Sequence, residues 1–139
     1  MTSRQIIVPD TLARLHRHTG RAAAVLSGGL VFCAGLGGIE ADSLRVPADP
    51  EAQFALAWRH AGLLLEAAGC NLDDVVDVAS FHLDLDRHLG LFRTVMARHL
   101  AAPMPAWTAV GVAALSPAGL LAEVKLTARR RDTGGPGDR

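Results

Sequence analysis

A single carboxylate in the last apolar segment of the chain is the first candidate for chemistry. Glu123 lies within LLAEVKL, residues 120–126, two positions before Lys125. A carboxylate in such a segment either faces solvent on an edge strand or is held in a site, where it can position water or shuttle a proton. The pattern of residues alone leaves both interpretations open.

An indole at the start of the preceding apolar segment is the second candidate. Trp107 follows two prolines in PMPAWTAVGV, residues 103–112, and is one of two tryptophans in a chain with no tyrosine. Indoles bury large areas, so Trp107 can fill the core, pack at a subunit interface or line a cleft for an aromatic ligand. These alternatives also stay open at this point.

The histidines and cysteines do not form a pattern of metal ligands. His16 and His18 lie two residues apart in a predicted loop, but no cluster of cysteines or carboxylates completes a set of ligands. His82 falls within a predicted strand and is expected to be neutral and hydrogen-bonded. We predict no metal and, without a phosphate-binding or dinucleotide motif, no cofactor. The other three histidines are on predicted helices and are expected to face solvent: His60, His88 and His99.

Composition indicates one folded domain without a polyanionic partner. Half of the 139 residues are hydrophobic, and 14 basic residues balance 14 acidic ones, so no net field attracts nucleic acid or a membrane surface. Cys33 and Cys70 form at most one pair, no leader segment is visible, and no apolar run approaches the length of about 18 residues that spans a bilayer. We predict a cytoplasmic protein with reduced thiols, in which Cys33 is a small buried hydrophobe.

Apolar spacing predicts an α+β domain over residues 1–128 and a disordered tail over residues 129–139. Asp49, Pro50 and Gly69 mark the ends of a strong helix whose apolar face includes Trp58. Two helices cover only one face of the sheet, so the other apolar face predicts a homo-oligomer. The predicted elements are a short strand at residues 6–8, a hairpin at 22–35, a helix at 48–69, a strand at 74–85, a helix at 86–100 and strands at 107–115 and 120–128.

Four segments in this order resemble the RidA/YjgF family of reactive-intermediate deaminases. They are GGLVFCAGLGG, the long segment from DPEAQFALAWRHAG to SFHLDLD, MPAWTAVGVAAL and LLAEVKLTA. The resemblance covers residues 20–130 and implies a chorismate-mutase-like α+β fold, a mixed sheet with two helices on one face. It also implies a homotrimer in which three sheets close a central β-barrel and clefts lie between subunits.

The resemblance further implies which positions form the cleft. In the family, an arginine after Pro-Ala or Pro-Ser binds the substrate carboxylate, and here Pro105-Ala106 is followed by Trp107. Arg21 occupies the position of a family aromatic residue, and Phe92 that of an asparagine in the second helix. Gly35 and Glu123 match the family, and Ala34 beside Gly35 is expected to line the cleft while Cys33 points away.

Two classes of function follow from the resemblance. In the first, Glu123 positions water or shuttles a proton at an imine, enamine or activated carbonyl, with backbone N–H groups near Gly35 stabilising charge. Without the arginine, the substrate is expected to be larger or more apolar than 2-aminoacrylate. In the second class, the cleft of the trimer only binds a small molecule or a partner. A third possible function is that of a ribonuclease, but the sequence indicates neither a basic groove nor basic residues interleaved with aromatic ones.

Overall fold

The computed structural model describes residues 3–17 and 19–131. The strands are β1 (Gln5–Ile7), β2 (Ala24–Ser27), β3 (Leu30–Cys33), β4 (Leu36–Gly37), β5 (Val75–His82), β6 (Ala106–Gly111) and β7 (Ala122–Arg129). The helices are α1 (Ala13–Arg17), α2 (Pro50–Ala67) and α3 (Leu85–His99), with single 3-10 turns at Asp10–Leu12 and Leu72–Asp74. The predicted succession of strands and helices is confirmed, and β4 and α1 are additions to it.

All seven strands form one mixed sheet. Its order is β1-β2-β3-β7-β5-β6, and β4 also pairs with β7 beyond the end of β3. The pair β5–β6 is parallel, because α3 carries the chain back across the sheet between them, and the other pairs are antiparallel. The strand β7 therefore lies at the centre of the sheet with β3 and β4 on one side and β5 on the other.

The ends of α2 are set by local residues, as the sequence predicts. The Asp49 side chain accepts a hydrogen bond from the backbone N–H of Ala52 at 3.0 Å, and Pro50 occupies the first turn. After the last turn, Gly69 has a φ of 81°, in the left-handed region that glycine tolerates best. These signals position the apolar face of α2 against the sheet.

The core lies between the sheet and the two long helices. Trp58 of α2 and Phe92 of α3 are fully buried, and the Phe92 ring meets that of His82 on β5 edge to face, with 4.7 Å between centroids. On the opposite face of the sheet, Phe32 and Val110 are about 40% exposed, at 41% and 40%. One face of the sheet is thus packed by helices, and in the single chain the other remains open.

The C-terminal strand continues past the predicted end of the domain. Arg129 is the last residue of β7, the Arg130 N–H donates to the Gly29 carbonyl at 2.9 Å, and Arg131 pairs with Asp74 at 2.7 Å. Three residues that were assigned to the tail therefore belong to the folded body, because the β2–β3 turn and Asp74 supply partners for them. The rest of the predicted tail, residues 132–139, lies outside the described residues, as does His18.

Candidate functional site

A cavity of about 530 Å³ opens where the chain bends between β3 and β4. It is lined by residues from α1, α2, β4, β7 and four connecting segments: Leu15, His16, Thr19, Arg21, Gly35, Leu36, Gly37, Ile39, Leu44, His60, Ser116, Pro117 and Glu123. Three of the predicted site residues, Glu123, Gly35 and Arg21, lie in this cavity. Although residues 21, 35 and 123 are far apart in the chain, the fold brings them to one place.

Among the described residues that line the cavity, Glu123 is the only acidic one, and its position depends on the absence of a side chain at Gly35. It is half-buried on β7, directly opposite Gly37 of β4. A Cβ atom placed on Gly35 would overlap the Glu123 carboxylate, so the absence of a side chain at Gly35 leaves room for it. A half-buried carboxylate in a cavity can accept a proton from water or hold a ligand N–H.

Arg21 brings a positive charge to the cavity. Its backbone N–H donates to Thr19 Oγ1 at 3.3 Å, which fixes the turn that precedes β2. The residue is exposed, and within residues 3–17 and 19–131 its guanidinium has neither an ion pair nor a side-chain hydrogen bond. The donors of Arg21 are therefore free to meet a ligand.

The loops of the cavity wall are held by the buried amide of Gln53 on α2. Its Nε2 donates to the Pro47 and Gly119 carbonyls, both at 3.1 Å, and its Oε1 accepts from the Leu121 N–H at 2.6 Å. Gln53 thus connects the loop before α2 to the loop that carries Ser116 and Pro117. Sequence patterns place Gln53 at the start of a helix but do not show these three bonds, two of which are made to a segment more than 60 residues away.

Trp107 and Phe92 lie on the opposite side of the sheet from Glu123. Cross-strand neighbours share a face, and Trp107 pairs with the buried Val78, whereas Glu123 pairs with Phe81, which points the other way. Within one chain the structure therefore does not bring the two aromatic residues to the Glu123 cavity. Ala34 is half-buried next to Gly35 and is not among the residues that line the cavity.

The indole of Trp107 is anchored by contacts from three sides. Its Nε1 donates to Ser80 Oγ at 2.8 Å, and its ring stacks on Phe92 at 6.2 Å with planes 29° apart. The Arg93 guanidinium lies over the same ring at 5.6 Å. Trp107 is half-buried and packs against the core, while Phe92 is fully buried, so any role for Phe92 in ligand binding would be indirect in this chain.

Two buried polar residues, Ser80 and His82, lie next to this indole. His82 Nε2 and Ser80 Oγ are 2.8 Å apart, and both residues have no exposed surface. Burial lowers the pKa of His82, with a smaller contribution from the nearby His88. His82 is therefore neutral near pH 7, which agrees with the prediction of a neutral, hydrogen-bonded strand histidine.

Two histidines of the cavity wall were not predicted as site residues. The prediction that His60 faces solvent is wrong: the residue is 4% exposed, and its Nε2 donates to the Ile39 carbonyl at 2.7 Å. The loop after β4 folds over α2 and covers His60. A signal existed in the sequence, because His60 lies three residues after Ala57 and four before Leu64, at the spacing of a second buried stripe.

His16 is the second unpredicted residue of the cavity. It lies on α1 rather than in a loop and is 8% exposed. Burial lowers the pKa of His16, and the positive charge of Arg21 and the neighbouring His60 lower it further. Burial likewise lowers the pKa of His60, against the opposing effect of its bond to the Ile39 carbonyl. Both rings are therefore neutral near pH 7.

The remaining polar groups give no sign of a metal site or a reactive thiol. No group of three or more metal-binding side chains occurs among the residues that the structure describes. Cys33 is buried on β3, and desolvation raises the pKa of its thiol to about 12, which keeps it protonated. None of the described helices has the length and apolar character needed to cross a bilayer.

The mixed sheet, the helices on one of its faces and the strand order define an α+β protein of the chorismate-mutase-like class. Residues 13–130 match the family model described as Endoribonuclease L-PSP, and with its relatives this match shows that the chain belongs to the RidA/YjgF family. The RutC family protein YjgH of Escherichia coli is 38% identical over 130 residues, which cover 93% of this chain and 97% of YjgH.

Solved structures of the family superpose on most of the chain. A structure of protein YJGH matches with a TM-score of 0.83 and 37% identity, covering 91% of this chain and 96% of that one. RidA from the Antarctic bacterium Psychrobacter sp. PAMC 21119 matches with a TM-score of 0.83 and 28% identity, covering 90% and 98%. The fold and family predicted from the sequence are thereby confirmed.

Proposed function

We propose that the protein is a divergent RidA-like enzyme of the cytoplasm that acts on an imine, enamine or activated carbonyl, in a cleft that includes the Glu123 cavity. Family membership supports a general role in handling imine and enamine intermediates. The observation that carries the proposal is the half-buried Glu123 carboxylate, packed against Gly35 in a cavity that also holds Arg21, which has no acidic partner among the described residues.

Glu123 serves as the proton acceptor in the reaction that this geometry favours. A water molecule beside the carboxylate attacks the carbon of a C=N bond, the π electrons move to nitrogen, and the water proton passes to Glu123. The proton then returns to nitrogen and gives a neutral carbinolamine. Glu123 next takes the hydroxyl proton and passes it to nitrogen, the C–N bond breaks with its electron pair on nitrogen, and ammonia or an amine leaves as the carbonyl forms. The two steps consume one water molecule and leave Glu123 in its starting form.

The substrate class follows from the residue that replaces the family arginine. The resemblance implies a carboxylate-binding arginine at position 107, where this chain holds an indole turned toward the core. Loss of a charge-assisted contact worth about 3 kcal/mol corresponds to about 100-fold in rate. We therefore expect release of keto acid from 2-aminoacrylate to be at least about 100-fold slower than in members with the arginine, and the substrate to be larger or more apolar.

Substitution of Glu123 tests the proposal. Turnover of a panel of aryl and branched-chain imines, followed by carbonyl formation, should fall at least about 100-fold in Glu123→Gln, since the amide cannot accept the proton. Ligand binding should change little, because the amide keeps the shape of the carboxylate. Glu66→Gln, on the exposed face of α2, is the matched control.

The same pair of variants separates catalysis from binding alone. If no imine in the panel is hydrolysed faster than in buffer, or if Glu123→Gln turns over at the native rate, the cavity acts only in binding a small molecule or a partner. The family description names a ribonuclease activity, which the formal net charge of zero does not support, because binding of RNA favours an excess of basic residues.

We also propose that the functional unit is a homotrimer whose subunits cover the open face of the sheet. Phe32 and Val110 leave an apolar surface on this face, and burial of such surface favours association. In that assembly a cleft between subunits would include the Glu123 cavity. The proposed partners are thus two further copies of the chain and a small-molecule metabolite.

A further inference from the structure

We propose that Arg21 and His16 bind the carboxylate of a monoanionic ligand with an apolar body, and that His16 takes up a proton as this ligand binds. The proposal rests on the proposed function only in that it places the ligand of that function in the Glu123 cavity. It adds a recognition group, since the family arginine is absent, and it names a histidine that has no assigned role. Arg21 lines the Glu123 cavity, on the other side of the sheet from position 107, so it does not restore the family contact and the expected loss with 2-aminoacrylate stands.

Arg21 provides the fixed positive charge of this site. The guanidinium is at the cavity wall, and the described part of the chain offers it no acidic partner. Planar guanidinium groups bind carboxylates through two parallel hydrogen bonds, which a single-point donor cannot reproduce. An unpaired arginine in a cavity is therefore suited to a carboxylate rather than to a neutral ligand.

His16, near Arg21, has no hydrogen-bond partner for its ring nitrogens among the described residues. The residue is 8% exposed, and its Nδ1 is buried without a hydrogen-bond partner among the described residues. Its Nε2 makes no hydrogen bond among them either, which leaves this atom as the ring nitrogen that can meet a ligand. A ligand that accepts a hydrogen bond from Nε2 gives the ring a partner and gains affinity.

The charged neighbours of His16 determine when it is protonated. Arg21 before β2, His60 on α2 and Glu123 on β7 are the titratable side chains that line the cavity with it. In the empty cavity, burial and the charge of Arg21 keep the pKa of His16 low and the ring neutral. A bound carboxylate would offset the charge of Arg21 and accept a hydrogen bond from the ring, so the protonated form becomes favourable.

The balance of charge selects a monoanion. Arg21 and Glu123 cancel formally, and one proton on His16 then gives the cavity a single positive charge, which one carboxylate neutralises. A dianion such as a phosphate monoester would leave one negative charge uncompensated near Glu123. Aliphatic side chains form the rest of the wall and favour an aryl or branched body on the ligand: Leu15, Leu36, Ile39 and Leu44.

Calorimetric titration of the full-length protein with phenylacetate and with phenylacetamide, its uncharged analogue, tests the carboxylate site. Phenylacetate should bind at least about tenfold more tightly than phenylacetamide, the ratio expected for hydrogen bonds to a charged group. Titration at pH 7.5 in two buffers of different ionisation enthalpy should show net proton uptake. Affinity should rise by up to about tenfold for each pH unit as the pH falls from 8.5 to 6.5.

Two substitutions assign these effects to residues. Arg21→Gln should lower phenylacetate affinity at least about tenfold and leave phenylacetamide unchanged, whereas Arg17→Gln, on the exposed side of α1, should change neither. His16→Gln should abolish proton uptake, while His99→Gln on α3 should retain it. Since Arg21 is exposed, its variant is expected to fold even if His16→Gln does not.

Three results would overturn the proposal. They are absence of saturable phenylacetate binding, equal affinity for phenylacetate and phenylacetamide, and proton uptake that survives in His16→Gln but is lost in Glu123→Gln. These measurements involve no turnover, so the carboxylate site can fail while hydrolysis by Glu123 stands. Equally, an inactive panel of imines would leave the binding result intact.

Discussion

The contacts of Trp107 show that the indole packs against the core at the start of β6. Its N–H reaches Ser80, its ring stacks on Phe92, and Arg93 covers the outer side. The sequence identified the replacement of the family arginine but could not show which way the indole turns, because that depends on Ser80 and Phe92 on other elements. Glu123 and Gly35, by contrast, were each predicted as cleft residues from their family positions, and both line one cavity.

We expect Trp107→Phe to cost about 1 kcal/mol of unfolding free energy, since it removes one hydrogen bond but keeps an aromatic ring at this position. Trp107→Ala should cost about 3 kcal/mol, because it also removes the packing against Phe92. Urea unfolding of both variants gives these values, and a double-mutant cycle with Ser80→Ala isolates the bond.

A different outcome for Trp107→Ala would reverse this interpretation. If the variant loses less than about 0.5 kcal/mol of stability but much of its ligand affinity, the indole belongs to the ligand cleft rather than to the packing of β6 on α3.

The elements with strong local signals were predicted well, and those that depend on distant contacts were not. Asp49 and Pro50 mark the start of α2 within one residue of its observed position, and the glycines after Ser27 produce the expected hairpin. The burial of His60 was missed because the loop that covers it follows β4, a two-residue strand with no periodicity of its own. The hydrogen bonds of Gln53 escaped prediction for the same reason.

Gln53→Glu tests whether one amide holds the two loops of the cavity wall. The carboxylate can still accept from Leu121 but cannot donate to the Pro47 and Gly119 carbonyls, so two buried acceptors lose their donor. We expect the unfolding free energy at pH 8 to fall by about 2–3 kcal/mol. Gln5→Glu on the exposed part of β1 is the control and should change it by less than about 0.5 kcal/mol.

Hydrogen exchange measures separately how Gln53→Glu affects the loops of the cavity wall. Amides of the loop around Ser116 should exchange faster in Gln53→Glu than in the native protein, while those of α3 should not. Unchanged exchange in this loop would mean that Pro117 and its neighbours are held by other contacts.

At the scale of the molecule, three buried histidines make stability dependent on pH. Burial lowers the pKa values of His16, His60 and His82 in the folded protein, so the unfolded chain binds more protons below about pH 6.5, the ordinary value. Stability that is present above this pH should therefore be lost as the pH falls, with each histidine contributing up to about 1.4 kcal/mol per pH unit.

Chemical denaturation between pH 8 and pH 5 measures this dependence. His82→Gln should make the slope below pH 6.5 shallower, whatever its effect on absolute stability. A native protein whose unfolding free energy is constant from pH 7 to pH 5 would contradict the burial of these rings as neutral groups.

The oligomeric state was inferred from the number of helices and remains a prediction for the whole molecule. Native mass spectrometry at micromolar concentration should show a trimer, because the sheet face with Phe32 and Val110 needs a cover. A stable monomer would remove the intersubunit cleft and confine any activity to the cavity of one chain.

The position of β6 at the end of the sheet has a consequence for handling and for misfolding. Within the described residues its outer backbone groups pair with no other strand, and Val110 adds apolar surface beside them. A strand exposed in this way is a template for pairing with foreign chains, the contact from which insoluble aggregates grow. We therefore expect separated protomers to aggregate through this edge more readily than the proposed trimer.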